Sequence, residues 1–180
     1  MRFTATPVQG VTIIEVDRIV DDRGFFGRVW CRDEFAEHGL DTEWVQANVG
    51  RSTQAGTLRG MHYQRDPHAE VKLVRCTRGS VYDVALDLRP ESSSYLRWAG
   101  VTLEADAHTM LYIPEGCAHG YQTLADDSEI VYFTSAPYAR DAATGVRYDD
   151  PAFGIHWPRE VAVISEQDAG WELWQRRTTP

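Results

Sequence analysis

The chain has 180 residues, 43% hydrophobic and 25% charged, the make-up of one ordinary globular domain long enough to bury a core unaided. Eighteen Lys and Arg stand against 27 Asp and Glu, a formal charge of −9. Such acidity excludes general nucleic-acid binding, which needs concentrated positive charge, but leaves room for a local basic pocket.

Short strands punctuated by turn residues follow one another along the chain. Val11–Val16 reads as the first, closed by the turn Asp21-Asp22-Arg23-Gly24, and Phe25–Trp30 as the second. Asp33 then reads as the cap of a short helix, Glu34–His38, which Gly39 ends. Strands are expected at Trp44–Val49, Leu58–Gln64, Val71–Thr77, Ser80–Leu88, Arg97–Leu103, Thr109–Ile113, Ala118–Leu124 and Glu129–Thr134. Arg78-Gly79, Pro90–Ser94, Ala105–Ala107, Pro114–Gly116 and Ala125–Ser128 separate most of them. Many short strands at near-regular spacing predict an all-β antiparallel sandwich or barrel. No linker, repeat or low-complexity segment divides the chain, so residues 1–180 are expected to form one domain, with 159–180 as a peripheral segment of turns and a short helix.

Successive side chains of a strand face opposite sides. In Val71–Thr77 this puts Lys72 level with Val74 and Cys76, either inside the barrel or snorkelling to solvent from a strand end. In Leu58–Gln64, His62 shares a face with Leu58, Gly60 and Gln64, as a satisfied core histidine or as a site residue. Arg59 has the opposite parity, so both reach one pocket only if Gly60 makes a bulge. His119 sits just after the turn Pro114-Glu115-Gly116, as a rim residue or a site residue. Tyr132 reads as a core tyrosine or a donor. Asp83, inside a strand, needs a partner, for which Lys72 is available. Asp168 reads as a surface turn residue.

The six histidines, at 38, 62, 68, 108, 119 and 156, show no HxH or HxxxH spacing, and Gln64 stands where the second ligand of an HxH pair would be. Neutral glutamine is a poor ligand beside imidazole and carboxylate, so no metal site is expected. Cys31, Cys76 and Cys117 are odd in number and widely spaced, which predicts free thiols in a reducing compartment. The N-terminal MRFTATPVQGV lacks an apolar run, and no stretch approaches the roughly 20 apolar residues of a membrane span. A cytoplasmic protein without membrane attachment is expected.

Eight stretches, in order, carry a resemblance to a known family. They are Asp22-Arg23-Gly24-Phe25-Phe26, Val45-Gln46-Ala47-Asn48, Leu58–Gln64, Lys72-Leu73-Val74-Arg75, Gly79–Val84, Ile113–Gly120, Asp149-Asp150-Pro151 and Gly154–Pro158. From about Gly10 to Asp168 the sequence resembles the dTDP-4-dehydrorhamnose 3,5-epimerases, a metal-free branch of the cupin superfamily. The resemblance implies a jelly-roll barrel and a homodimer in which N-terminal strands reach across to the partner. It implies a nucleotide-linked 4-keto-6-deoxyhexose as substrate and no cofactor. His62 resembles the general base, Asp168 its orienting carboxylate and Tyr132 the general acid on the opposite face of the sugar. Lys72 and Arg59 resemble the groups around the developing oxyanion and the diphosphate. Arg23, Phe25, Gln46 and Asn48 resemble nucleotide contacts, and His119 and Tyr138 further pocket residues; Arg28 and Asp83 are expected beside them. The chain departs from the pattern at Gly27-Arg28, where a phenylalanine and a glutamate are common.

The chemistry suits those residue types. A ketone at C4 acidifies the protons on C3 and C5, because their loss gives an enolate. An imidazole takes such a proton at neutral pH, a carboxylate behind it fixes its tautomer, and a cation stabilises the enolate oxygen. Inversion needs a second donor opposite the base. Three other functions compete: epimerisation of one carbon only, a metal-dependent cupin oxygenase or isomerase, and a non-catalytic sugar-nucleotide binding barrel.

Overall fold

The computed structural model describes residues 1–41 and 43–174. It is an antiparallel jelly roll of two facing sheets. The strands are β1 (Arg2–Ala5), β2 (Thr12–Glu15), β3 (Arg18–Asp21), β4 (Gly24–Gly27), β5 (Gln46–Ser52), β6 (Leu58–Gln64), β7 (Lys72–Arg78), β8 (Ser80–Asp87), β9 (Trp98–Glu104), β10 (Met110–Ile113), β11 (Cys117–Thr123), β12 (Ser128–Thr134) and β13 (Ala143–Gly145). Among the described residues two helices, α1 (Arg32–Glu37) and α2 (Glu166–Ala169), accompany the strands. One sheet has the order β1-β2-β10-β7-β12-β5 and the other β13-β6-β11-β8-β9, while β3 and β4 form a separate hairpin.

The inner faces are apolar at one end of the barrel. Val74, Cys76, Leu111 and Ile130 of the six-stranded sheet pack on Val81, Ala85, Leu103 and Cys117 of the five-stranded sheet, all 3% exposed or less. The parity expected for Lys72 holds: it lies on this inward face and is 6% exposed. Outside the six-stranded sheet, α1 lays Phe35 on Ile14, Leu73 and Tyr112. Burying that phenylalanine stabilises the fold by roughly 1.5–3 kcal/mol. Met61, Leu86 and Ala118 form a third cluster with Val146 and Phe153, which cover the outer face of the five-stranded sheet.

The expected strands match the structure closely, Leu58–Gln64 at both ends and the rest with ends shifted by at most three residues. The pattern misses β1, β3 and β13, which have four, four and three residues; β1 and β3 expose most of their side chains, and β13 is half-buried. It also misplaces the helix cap. Cys31 takes the N-cap position and no side chain caps the helix, while Asp33 lies inside the first turn, where its charge suits the helix dipole. Gly39 ends the helix as expected, with φ +68° and its N–H donating to Ala36 O. The described part of 159–180 contains the short helix expected there, α2. Leu58 N–H donates to Val163 O, and α2 packs on β6. Residues 175–180 of that segment lie outside the described residues. All three cysteines are free. Among the described residues no helix is long and apolar enough to cross a membrane.

Candidate active site

At the other end of the barrel the two sheets part around a cavity of about 640 Å³. β6 lends Arg59 and His62 to its wall, β11 His119, β7 Lys72, β12 Tyr132, and β5 Gln46 and Asn48. Tyr138, in the loop after β12, stands at the wall, and α2 contributes Asp168. Nine of the thirteen site residues expected from sequence therefore meet at one place.

Arg59 and His62 reach the same cavity because β6 is irregular. His62 pairs with His119 and Arg59 with Tyr121, so Gly60 and Met61 on β6 face Gly120 alone on β11. This is the two-against-one count of a bulge. Gly60 has φ +138°, and a Cβ there would stand 2.5 Å from Gly120 Cα, so only glycine fits.

Asp168 is not a surface turn residue. Ser165 caps α2, its Oγ accepting from Asp168 N at 3.0 Å, and the carboxylate turns into the barrel, 5% exposed. Its Oδ1 lies 2.6 Å from His62 Nε2, and its Oδ2 accepts from Gly60 N at 3.1 Å. Burial alone would raise the Asp168 carboxyl, but the hydrogen bond and charge of His62 and the Gly60 N–H outweigh it and hold it below the usual range. An ionised carboxylate only accepts, so Nε2 carries the proton and Nδ1 is the nitrogen left for a ligand. The His62 side chain remains 45% exposed toward the cavity.

A second His–Asp pair stands beside the first. His119 Nε2 lies 3.0 Å from both oxygens of Asp83, which is fully buried. The partner of Asp83 is thus His119 rather than Lys72. Asp83 is not among the residues lining the cavity, where it was expected; its partner His119 lines the wall in front of it. Lys72 pairs instead with Glu70, Nζ to Oε1 at 2.8 Å.

Tyr132 faces His62 from the opposite sheet, and among the described residues no hydrogen bond ties its hydroxyl to the protein. Burial, then the charge of Glu70, push its phenol up, against the pull of Arg59. Tyr121, deeper and stacked on His119, is driven by burial to about 12. Gln46 Nε2 donates to Asn48 Oδ1 at 3.1 Å, and its Oε1 accepts from Tyr138 N at 3.1 Å, tying the mouth loop to β5. Arg59 is held by Ser52 Oγ and Arg51 O, both at 3.2 Å.

Arg23, Phe25 and Arg28 do not reach this cavity. They lie on or beside the β3–β4 hairpin, where Arg23 pairs with Asp21 and Arg28 with Glu34. Ile19, Val20 and Phe26 of that hairpin are about 70% exposed. Gly27 has a packing reason: a Cβ there would fall 2.4 Å from Val16 Cγ1.

Sequence reasoning overlooked Glu70, Tyr121 and Trp171 in the wall. Glu70 was within reach, since it shares parity with Lys72 two residues on. Trp171 gives no such signal, because its place follows from how the C-terminal segment docks. Gln64 binds Glu70 Oε2 and the carbonyls of His68 and Pro137 through Nε2. Among the described residues no three His, Cys, Asp or Glu side chains converge as metal ligands would.

Comparison with known proteins agrees with this architecture. The profile of the dTDP-4-dehydrorhamnose 3,5-epimerase family matches residues 5–176. A dTDP-4-dehydrorhamnose 3,5-epimerase of Sinorhizobium fredii is 40% identical over 94% of this chain and 87% of its own. The crystal structure of the enzyme of that name from Elizabethkingia anophelis superposes with a TM-score of 0.94 at 33% identity, covering 97% of this chain and 96% of that one. A 3′-monoepimerase from Streptomyces bikiniensis, solved with dTDP-quinovose, superposes at 0.85 with 30% identity, over 93% and 85% of the two chains. The chain belongs to the dTDP-4-dehydrorhamnose 3,5-epimerase family of isomerases.

Proposed function

We propose that the protein epimerises a nucleotide-linked 4-keto-6-deoxyhexose, with dTDP-4-dehydro-6-deoxy-D-glucose inverted at C3 and C5 as the reading best supported. The observation that carries it is His62 of one sheet, paired with Asp168 of α2, in a cavity that the Tyr132 phenol of the other sheet also lines. His62 Nδ1 takes the proton from the carbon beside the ketone, and the electron pair moves to the C4 oxygen. Asp168 stabilises the imidazolium as it forms. Lys72 meets the enolate oxygen, where a positioned donor in a secluded site contributes most. Tyr132 then gives its proton to the opposite face of the same carbon, and exchange with water resets the base and the phenol. The chain's own residues fill each of these roles without a cofactor. Gln46, Asn48, Arg59, His119 and Tyr138 hold the nucleotide and sugar.

The hairpin residues fit the same reading in a homodimer. Ile19, Val20 and Phe26 leave an apolar arm exposed, suited to a partner chain. Across the interface it would present Arg23, Phe25 and Arg28 to the other cavity. Three free thiols suit the cytoplasm.

Incubation with dTDP-4-keto-6-deoxyglucose in D2O, followed by NMR and mass spectrometry, tests the activity. Deuterium at C3 and C5 is expected. The likeness to the Streptomyces bikiniensis 3′-monoepimerase favours a second reading, inversion at C3 alone, which deuterium at that carbon only would establish. No deuterium at either carbon would overturn both.

A further inference from the structure

Glu70 enters the wall from the loop before β7, and the proton transfers above leave it without a task. Its side chain is 10% exposed and that of Lys72 8%. Glu70 Oε1 lies 2.8 Å from Lys72 Nζ, and Oε2 accepts from Gln64 Nε2 at 2.9 Å. Lys72 Nζ also donates to His62 O at 3.4 Å. An ammonium has three N–H donors. Two point at protein acceptors, and one is left for a ligand. A lysine side chain is otherwise a flexible stem with a freely turning head.

We propose that Glu70 is a positioning residue of the epimerisation, fixing Lys72 with one N–H free for the ketone oxygen and setting the charge beside Tyr132. The inference rests on the epimerase reading above. It identifies what turns Lys72 from a mobile charge into an aimed donor, since displacement of a catalytic group by about 1 Å costs on the order of 100-fold in rate.

The charged and titratable groups lining the cavity around Tyr132 come from several elements. Glu70 precedes β7 and Lys72 lies on it, Arg59, His62 and Tyr63 come from β6, His119 and Tyr121 from β11, Tyr138 from the loop after β12 and Asp168 from α2. Beyond burial, Glu70 raises the Tyr132 phenol and Arg59 lowers it. A carboxylate here thus opposes the nearby guanidinium and adds to burial in favouring the protonated phenol.

The test compares Glu70→Gln and Glu70→Asp with the unaltered protein. Rates come from deuterium incorporation, ligand affinity from dTDP titration, and the Tyr132 phenol from its ultraviolet titration with Tyr132→Phe as the blank. Glu70→Gln is expected to lower kcat on the order of 10- to 100-fold, with dTDP affinity within about twofold. Its Tyr132 titration and the alkaline limb of its kcat profile should both move to lower pH. Glu70→Asp keeps the charge and should hold the titration near its original place. An unmoved titration and unchanged kcat in Glu70→Gln would overturn the proposal. So would parallel losses of kcat, dTDP affinity and melting temperature in both variants, which mark a structural role. Absence of isotope incorporation in the unaltered protein would sink the epimerase reading and the Lys72 role with it, while the ultraviolet titration, which needs no substrate, would still decide the charge relation.

Discussion

His62 and Asp168 stand 106 positions apart in the chain and 2.6 Å apart in the fold. The pair decides which imidazole nitrogen holds the proton. Asp168→Asn keeps the shape but removes the charge and lets the amide favour the wrong tautomer. Its kcat should fall by about 100- to 10,000-fold, with dTDP affinity unchanged. His62→Ala should abolish isotope incorporation while circular dichroism and dTDP binding stay as they were. Near-normal incorporation by His62→Ala would show that another group is the base.

Tyr132→Phe removes the donor and leaves the base. Deuterium should still wash into the carbon next to the ketone, because deprotonation and return from the same face survive. Inversion should drop about 100-fold or more, within the range for loss of a general acid. NMR of the recovered sugar separates the two. Inverted product at the original rate would demote Tyr132 to packing.

Gly145 pairs with His62 and lies close to the Trp171 indole. A Cβ there would fall 2.4 Å from Trp171 Cε2 and 2.7 Å from Met61 O. Gly145→Ala should therefore displace the indole and, through it, the turn of α2 that carries Asp168. Urea unfolding should show a loss of about 1–3 kcal/mol, and kcat should fall more than dTDP affinity. A variant with unaltered stability and kcat would show that the indole moves aside without disturbing α2.

Asp87 is a structural carboxylate, fully buried at the end of β8. Burial would raise it, but Arg89, Ser92 and Ser94 donate to it and hold it down at about 2. A depressed carboxylate stabilises the fold above its ordinary value, and that contribution fades as pH falls through the folded one. It amounts to roughly 2 kcal/mol, complete above about pH 5 and lost toward pH 2. Asp87→Asn should be less stable than the unaltered protein at neutral pH, and the gap should narrow on acidification, followed by urea unfolding. A gap independent of pH would mean that the charge of Asp87 is not what its neighbours stabilise.

How much of this was legible in the sequence depends on the range of the interactions. Ten of the thirteen described strands followed from local patterning, and the period of two set Lys72 level with Val74 and Cys76 but left open whether that face pointed inward or its ammonium reached solvent. The conflict between Arg59 and His62 was visible, and so was the glycine that resolves it. Asp168 was opaque: a four-residue helix has no periodicity, and its burial depends on docking against β6. Asp83 was recognised as needing a partner, but the choice between Lys72 and His119 lay in cross-strand register, where Tyr121 rather than His119 directly faces it. The roles of His62, Tyr132 and Asp168 came from family likeness; parity alone left each open.

The docking of α2 has a bearing on how the protein is made. Ribosomes build from the N-terminus, so β13, the final strand among the described residues, is complete before Ser165 and Asp168 are added. The cavity wall and its histidine are encoded early, and the carboxylate that orients that histidine late. On the proposed mechanism, a nascent or shortened chain ending before Ser165 holds an unaimed base, so catalytic competence marks the finished molecule rather than the finished barrel.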